Sequence, residues 1–487
     1  MMNEIFRARD VVTANEDRVI LNGMNIKLMQ GEILGVFGTF DSGKTTLLDL
    51  ITGSVLPISG NVFLYGKKVP EERDGGIKWP VLARIGGNST LINGFSLWEN
   101  IMVMRGSGIK YRYVNPSLMK KTVASLFKEY DIDLDPGMKA GQLSRFQCFL
   151  LEILKARFGK AEIILIDDFA LECTYGEYLV LGDLMNRLKG EGVTFLITSC
   201  RIGLLKRYSD RISFLYGGRI IKSVCNKPQY DADIDCLLST MFSKNPNHPE
   251  GNTTGAVVLS LRNLDVGLAD EISFDLRQGE ITSIIDPSKT VLTALSDKLI
   301  NGKQTENGAI FYKGRRFKSL NVQNAKNGIV LIDHGALNRI NEGMTVIDNL
   351  CMGFHRRFSR FGVIKHSVVK YVKKEFDTWY GSGKLTERTD CHNLPKRDRV
   401  ALILFRLKLM NPSVVICRNP TSDTDMITYG MLEDCLAELA MNGAAVCLLN
   451  SNVEKIDDFA DRYLIMAKGR LFYDVPYNKI SDMLLWG

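Results

Sequence analysis

GTFDSGKTT is the most informative segment of this chain, with Gly38, Thr39, Phe40, Asp41, Ser42, Gly43, Lys44, Thr45 and Thr46 in succession. Its first eight residues fit G-x-x-x-x-G-K-[ST], the pattern of a phosphate-binding loop. An apolar run from Ile33 to Phe37 precedes it, and a helical pattern from Thr46 to Thr52 follows it. A strand, a loop and a helix in this order direct backbone N–H groups and the positive end of the helix at phosphate. The segment therefore predicts a nucleotide site that all nine residues contact.

Three positions in this loop have specific predicted consequences. Lys44 is expected to reach the β- and γ-phosphates, and the Thr45 hydroxyl to bind Mg²⁺. Asp41 stands at the fourth position, where such loops commonly have glycine. Because Asp tolerates a left-handed backbone better than most residues, the loop is expected to form. A carboxylate beside the phosphates is nevertheless expected to weaken binding.

An acidic pair ends a later apolar run, Ile163-Ile-Leu-Ile-Asp167-Asp168. Asp167 is placed to hold Mg²⁺ through water, and Asp168 occupies the position of a general base for an attacking water. The alternative is an acidic pair that only caps the end of a strand. The phosphate loop upstream favours the metal and base roles.

The composition limits the number of domains and the class of protein. A chain of 487 residues is too long for one hydrophobic core, so at least two domains are expected. The net charge of +7 comes without clustered Lys and Arg, which argues against a nucleic-acid partner. The ten cysteines include no CxxC pair, and neither zinc sites nor a disulfide framework is expected. No apolar run approaches a membrane span or a secretory signal, so a cytoplasmic protein without direct membrane insertion is expected.

The chain contains a large internal repeat. Segments of the first half recur in the second after about 250 residues, as repeat architectures require: Gly60–Val69 as Gly308–Phe317, Gly94–Asn100 as Gly343–Asn349, and Asp210–Arg219 as Asp461–Arg470. The segment from Ser243 to Gly255 has the Pro, Gly and Asn content of a linker. We therefore predict a first domain over 1–245, a linker over 246–256 and a second domain over 257–487. Alternating strand and helix patterns predict an α/β fold with a mostly parallel sheet in each half.

The order of motifs resembles that of an ABC ATPase: the phosphate loop, Leu143-Ser144, Asp167-Asp168, and then Asp210-Arg211. More narrowly, the chain is similar to the double-cassette ATPase subunits of bacterial ribose- and galactoside-type importers. Leu143-Ser144 followed by Glu152-Ile153 matches the frame of their signature segment. The resemblance implies two tandem P-loop ABC nucleotide-binding domains, each with a helical subdomain. It also implies ATP and Mg²⁺ as ligands, halves that pair head to tail, and membrane permease subunits that hold the protein at the inner face of the membrane.

The first half departs from the family at several functional positions. Arg145 and Phe146 replace the two signature glycines, and an aromatic ring there is expected to obstruct the signature. Residues 1–247 contain no histidine, and the position of the family's switch histidine reads Thr198-Ser199-Cys200. The position of the family's coupling glutamine falls near Gly87, and the nearby residue with an amide side chain is Asn88. The aromatic residue that stacks on adenine is expected near Asn15 and is missing there, unless Phe6 takes this role. Phe95 and Trp98 lie where the helical subdomain of the family meets the membrane subunit, and burial in the core is the favoured interpretation for both.

The second half departs further from the family pattern at its functional positions. Its loop reads Asp286-Pro287-Ser288-Lys289-Thr290, its signature reads Leu394-Pro395-Lys396-Arg397-Asp398, and Arg418-Asn419 replaces the acidic pair, while Asp425 keeps the frame. We predict that this half is a structural partner without a competent site. For Arg145, Lys396 and Arg397, contact with phosphate and a solvated surface both remain open.

The leading hypothesis is the ATP-binding subunit of a carbohydrate-type ABC transporter that binds Mg-ATP in its first half. Hydrolysis with Asp168 as the base is expected to be slow, because the histidine, the signature glycines and the longer base carboxylate are absent. The alternative is a soluble nucleotide-sensing protein that retains the fold without the motor. A twin-cassette translation factor is disfavoured, since that class has a long charged linker and intact signatures.

Overall fold

The computed structural model of this chain describes residues 3–15, 18–69, 81–86, 89–102, 115–167, 175–241, 255–264, 272–286, 309–317, 328–332, 337, 339–352, 359–360, 363–381, 385–387, 391–392, 394–420, 424–451, 459–467, 470–472 and 474–475. The chain forms two compact units, Met1–Met241 and Phe242–Gly487. Most of the predicted linker, 246–254, lies outside the described residues.

The first unit contains two sheets. An antiparallel sheet has the order β2-β1-β4-β5, formed by β1 (Glu4–Asn15), β2 (Arg18–Met29), β4 (Ser59–Leu64) and β5 (Lys67–Lys68). A second sheet has the order β6-β7-β8-β3-β9-β10, formed by β3 (Ile33–Gly38), β6 (Leu82–Ile85), β7 (Ile163–Ile166), β8 (Thr194–Ser199), β9 (Arg211–Tyr216) and β10 (Arg219–Cys225). All its strand pairs are parallel except β9 with β10.

Seven α-helices are described in the first unit: α1 (Lys44–Thr52), α2 (Leu97–Met102), α3 (Pro116–Glu129), α4 (Arg145–Phe158), α5 (Tyr175–Gly190), α6 (Ile202–Tyr208) and α7 (Asp231–Met241). α2 contacts both α3 and α4, which together form the helical subdomain of this unit. Strands β3, β7 and β8 are buried along their whole length, as expected for a parallel sheet with both faces covered.

The second unit repeats this architecture. Its antiparallel sheet has the order β12-β11-β14-β15 and its mainly parallel sheet the order β16-β19-β20-β13-β21-β22. The strands are β11 (Val257–Leu264), β12 (Ile272–Arg277), β13 (Ile281–Ile285), β14 (Ala309–Tyr312), β15 (Arg315–Phe317), β16 (Ile329–Ile332), β17 (Ser359–Arg360), β18 (Val363–Ile364), β19 (Val414–Arg418), β20 (Ala445–Asn450), β21 (Arg462–Ala467) and β22 (Arg470–Phe472). Strands β17 and β18 form a separate hairpin.

The described helices of the second unit are α8 (Val346–Cys351), α9 (His366–Tyr380), α10 (Lys396–Met410) and α11 (Met426–Met441). α8, α9 and α10 share an apolar core that includes Leu350, Phe376 and Phe405. The prediction of two tandem α/β domains, each with a mostly parallel sheet and a helical subdomain, is confirmed. Every helix of the described residues is too short or too polar to cross a lipid bilayer.

Matching turns show that the sequence repeat is also a structural repeat. The hairpin between β4 and β5 turns at Tyr65 and Gly66, with φ angles of 49° and 76°, and that between β14 and β15 turns at Lys313 and Gly314, with 48° and 75°. Two consecutive positive φ angles produce the tight turn that suits the twist of a hairpin, and glycine accommodates the second without strain.

A buried asparagine organises the start of each helical subdomain. Asn100 accepts a hydrogen bond from the Ile92 N–H (2.8 Å) and donates to the carbonyls of Ile92 (3.1 Å) and Ser96 (3.1 Å). Asn349 in the second unit makes the same set with Asn341 (2.8 and 2.9 Å) and Thr345 (3.1 Å). These side chains are 1% and 2% exposed, so water cannot replace them as partners.

We expect Asn100→Ala and Asn349→Ala each to lower the free energy of unfolding by about 2–4 kcal/mol, because buried backbone groups lose their partners. The measurement is the shift of the urea-unfolding midpoint. Asn115→Ala is the control, since Asn115 caps α3 at an exposed position and its loss is expected to cost about 1 kcal/mol. A loss below about 0.5 kcal/mol at Asn100 would contradict a structural role.

Candidate functional site

The backbone from Gly38 to Thr46 makes a tight turn from the buried end of β3 into α1. Asp41 has a φ of 57°, so the chain accepts a left-handed conformation at a residue where such loops commonly have glycine. Gly43 has a φ of 102° and precedes the first helical residue, Lys44. The α1 N-terminus has no side-chain cap and no acidic residue in its first turn. Its first N–H groups therefore face the loop without an internal anion, which suits a phosphate ligand.

Lys44 is held inside the loop. Its Nζ donates to the carbonyl oxygens of Gly38 (2.9 Å) and Thr39 (2.8 Å), and its side chain is only 8% exposed. An ammonium group has three N–H donors, so one remains for a ligand after these two bonds. The Phe40 ring centroid lies 5.9 Å from the same Nζ. The contact of Lys44 with the β- and γ-phosphates stays a prediction.

The remaining loop residues differ in exposure. Thr45 is exposed and Thr46 half-buried. Ser42 is buried, and its hydroxyl has no hydrogen-bond partner among the described residues. An uncapped helix end, a buried ammonium group and an unsatisfied hydroxyl together form a cradle for an anion. The residues of the loop therefore fit the triphosphate of a nucleotide.

Asp167 lies at the end of β7, as predicted, but its carboxylate already has a cationic partner. Arg84 of β6 donates from Nη2 to Asp167 Oδ2 and from Nη1 to Asp49 Oδ1 of α1 (2.6 Å). Thr198 donates to the other oxygen of Asp167 at 3.4 Å. Burial alone would lower the pKa of the Arg84 guanidinium, but its bonds to Asp167 and Asp49 outweigh burial and raise that pKa.

This arrangement does not fit a Mg²⁺ ion at Asp167. The Arg84 guanidinium group already donates to the carboxylate that was predicted to hold the metal, so a divalent cation would have to displace this hydrogen bond. The described residues also contain no cluster of three or more His, Cys, Asp or Glu side chains that could hold a metal. The metal role of Thr45 and Asp167 stays a prediction, and no chemical step is assigned to it.

Of three other predicted positions in the first half, the structure describes only the switch position. Asp168, the predicted base, lies outside the described residues, as do Gly87 and Asn88. At the switch position, Ser199 is buried at the end of β8 and accepts a hydrogen bond from the Arg201 N–H (3.1 Å). This bond stabilises the turn after β8, and the Thr198 hydroxyl lies 3.4 Å from Asp167 Oδ1.

The signature segment forms the start of α4. Ser144 caps this helix by accepting a hydrogen bond from the Gln147 N–H (3.2 Å), and Gln147 Oε1 accepts from the Ser144 N–H (2.9 Å). We expected Phe146 to obstruct the signature, and this expectation is wrong. Phe146 is buried in the first unit, because it faces inward on α4. Arg145, by contrast, is exposed.

At the corresponding positions of the second unit, polar side chains are engaged with each other. Asn419 accepts hydrogen bonds from both the N–H (2.9 Å) and the hydroxyl (3.0 Å) of Ser451, which closes the space between the ends of β19 and β20. Arg397 lies 5.9 Å from the centroid of the Tyr380 ring, whose hydroxyl donates to Asp398 (2.5 Å). Burial and that bond raise the pKa of Tyr380.

Among the other predicted residues of the second unit, the structure describes Asp286 and Asp425. Asp286 is buried at the end of β13, whereas Pro287, Ser288, Lys289 and Thr290 lie outside the described residues. Asp425 caps α11 by accepting a hydrogen bond from the Thr428 N–H (2.8 Å).

The structure excludes the alternative left open for Phe6, and one aromatic prediction, that for Phe95, is wrong. Phe6 is 1% exposed in the core beneath the antiparallel sheet, so it cannot stack on adenine. Phe95, which was expected in the core, is 39% exposed before α2. Trp98 is half-buried.

Sequence reasoning missed Arg84. A signal was present, because Arg84 is the one charged residue in the apolar run Val81-Leu-Ala-Arg-Ile85. Its partners were not predictable, since they come from a helix and a strand that the fold brings together.

Comparisons with known proteins found a matching family model and several similar proteins. A family model described as ABC transporter matches residues 21–170. The chain is 25% identical over 486 residues to a xylose import ATP-binding protein of Photobacterium profundum. The alignment covers 95% of this chain and 94% of that protein. It is 25% identical to a galactose/methyl galactoside import ATP-binding protein of Shigella boydii, over 92% of this chain and 90% of that protein. A solved nucleotide-free ATP-binding cassette from an ABC transporter aligns with 48% of this chain and 95% of its own, with 22% identity and a TM-score of 0.41.

We expect Asp41→Asn to raise the affinity for ATP about 3- to 10-fold, because it removes a negative charge beside the phosphates and still tolerates the left-handed backbone. Asp41→Gly should act in the same direction. Isothermal titration calorimetry measures the change, with Asp133→Asn as a control for net charge at an exposed position. An affinity of Asp41→Asn within about twofold of wild type would show that this carboxylate does not influence the ligand.

Lys44→Ala is expected to weaken ATP binding by about 10- to 100-fold, since a charge-assisted hydrogen bond to phosphate is lost. Lys67→Ala, at an exposed lysine of β5, is the matched control and should bind like wild type. Circular dichroism must show that Lys44→Ala is folded, because its side chain also holds two loop carbonyls. Equal affinities of the two variants would rule out the loop as the nucleotide site.

Proposed function

We propose that this chain, which carries an ABC transporter domain and resembles sugar-import ATP-binding proteins along nearly its whole length, is the ATP-binding subunit of a carbohydrate importer. The observation that carries the proposal is the phosphate loop. It joins a buried strand to an uncapped helix, with the Lys44 ammonium group fixed inside it. ATP is the ligand that this loop and this domain support.

We further propose that the two units have different roles. The first binds ATP through Gly38 to Thr46, and Asp168 serves as the base for slow hydrolysis. The second is a structural partner that pairs with the first head to tail, as the resemblance implies. Support comes from the Asn419–Ser451 hydrogen bonds, which close the strand ends where an acidic pair would stand.

The partner in this proposal is a membrane permease. The chain would lie on the cytoplasmic side and reach the membrane only through that partner. Phe95, exposed at the start of the helical subdomain, is a contact residue consistent with this role. The transported solute is a monosaccharide, by analogy with the xylose and galactoside relatives.

A second candidate function is nucleotide sensing without transport. Arg84, which pairs with Asp167, favours it, because this pairing disfavours the metal arrangement that fast hydrolysis uses. The two functions make different demands: an importer subunit must assemble with integral membrane proteins, and a sensor need not.

We expect the tagged chain, purified from detergent-solubilised membranes of its own organism, to carry an integral membrane permease at a fixed stoichiometry. The complex should hydrolyse ATP slowly, at about 1 s⁻¹ or less, because the groups that stabilise the transition state are reduced. Lys44→Ala should retain the permease and lose the hydrolysis, which distinguishes assembly from turnover.

Mass spectrometry and a phosphate-release assay provide the two measurements. Recovery of the chain solely from the aqueous fraction, with ATP affinity intact, would contradict the importer and leave nucleotide sensing.

A further inference from the structure

We propose that Arg84 is an internal cation for the nucleotide site, so that the first unit binds ATP with little dependence on Mg²⁺. The inference rests on the proposed function, because it assumes that ATP binds in the loop from Gly38 to Thr46. It adds a residue that determines which form of the nucleotide, metal-bound or metal-free, the site prefers.

The position of Arg84 is fixed from two sides. One terminal nitrogen donates to Asp167 after β7, and the other donates to Asp49 in α1 at 2.6 Å. The Asp167 N–H in turn donates to the Ile85 carbonyl (2.8 Å), which holds the end of β7 beside β6. A planar guanidinium that bridges two carboxylates is more rigid than an ammonium group in a single surface ion pair.

The bridge is also partly shielded from water. The side chains of Arg84, Asp49 and Asp167 are 32%, 27% and 17% exposed. Charges in such a position are screened less by solvent and salt than fully exposed charges, so the guanidinium acts strongly on its surroundings.

The charge of Arg84 has a direct consequence at the Asp167 carboxylate. In a P-loop site this carboxylate holds Mg²⁺, and the metal neutralises the phosphates. Here Asp167 already accepts hydrogen bonds from Arg84 and Thr198, one on each oxygen. A divalent cation must therefore displace the guanidinium group from this carboxylate. Metal-free ATP meets no such obstacle, and Lys44 together with the α1 N-terminus still binds its phosphates.

The experiment compares the dissociation constant of ATP in EDTA with that in excess Mg²⁺, at matched ionic strength, by isothermal titration calorimetry. The ratio of the two constants reports how strongly Mg²⁺ assists binding. For wild type we expect the two constants to agree within about threefold. For Arg84→Gln, which frees the Asp167 carboxylate for the metal, we expect the ratio to rise by about tenfold.

Two further variants make the result specific. Arg157→Gln removes another partly exposed ion pair, the 2.6 Å contact of Arg157 with Glu191, and should leave the ratio as in wild type. Arg84→Lys keeps the positive charge but cannot form the planar bridge to two carboxylates, so the ratio should rise by a smaller factor. This variant also tests the proposal if Arg84→Gln does not fold.

The outcomes separate this inference from the function on which it rests. A wild type that needs Mg²⁺ for tight binding, or an unchanged ratio in folded Arg84→Gln, overturns the role of Arg84 and leaves ATP binding intact. If Arg84→Gln does not fold, an unchanged ratio in Arg84→Lys has the same meaning. Failure of wild type to bind ATP in both buffers overturns the proposed function together with this inference.

Discussion

The structure of the first unit depends on one backbone constraint, the turn that connects a fully buried strand to a helix within a few residues. Left-handed conformations at Asp41 and Gly43 make that turn possible, and they leave the first N–H groups of α1 without partners. β3 lies between β8 and β9, so the turn opens at the carboxyl end of the sheet, the edge where α/β proteins bind ligands. Lys44, Asp167 and Thr198 all owe their positions to this edge.

The two units show which parts of such a fold are free to change. Their sheets have the same strand order, their hairpins have the same left-handed turns, and their helical subdomains start with the same buried asparagine. Burial enforces the strand order and the asparagine contacts, because an unsatisfied group in the core costs free energy wherever it occurs. The hairpin turns are exposed, and their short connections between paired strands set their conformation. The strand ends have no such constraint. In the first unit Arg84 bridges two carboxylates there, whereas in the second unit Asn419 and Ser451 bond to each other.

The sequence alone was sufficient to predict the features that depend on local spacing of residues. The phosphate loop, the repeat and the buried strands all have regular patterns, and each was found where predicted. Contacts between distant segments were not predictable: Arg84 meets Asp49 and Asp167 only because β6 pairs with β7 beside α1. The same limit explains the error at Phe95, whose burial depends on neighbours from other elements. Roles that rest on residues outside the described ranges, such as that of Asp168, remain predictions.

The hydrogen bonds of Asn419 to Ser451 have a consequence for how the occupancy of the protein by nucleotide depends on nucleotide concentration. A protein with two equivalent sites can couple them and respond steeply over a narrow range of ligand concentration. If the closed strand ends of the second unit leave one competent site per chain, the occupancy follows a simple hyperbola. Such a chain binds nucleotide with a Hill coefficient of about one.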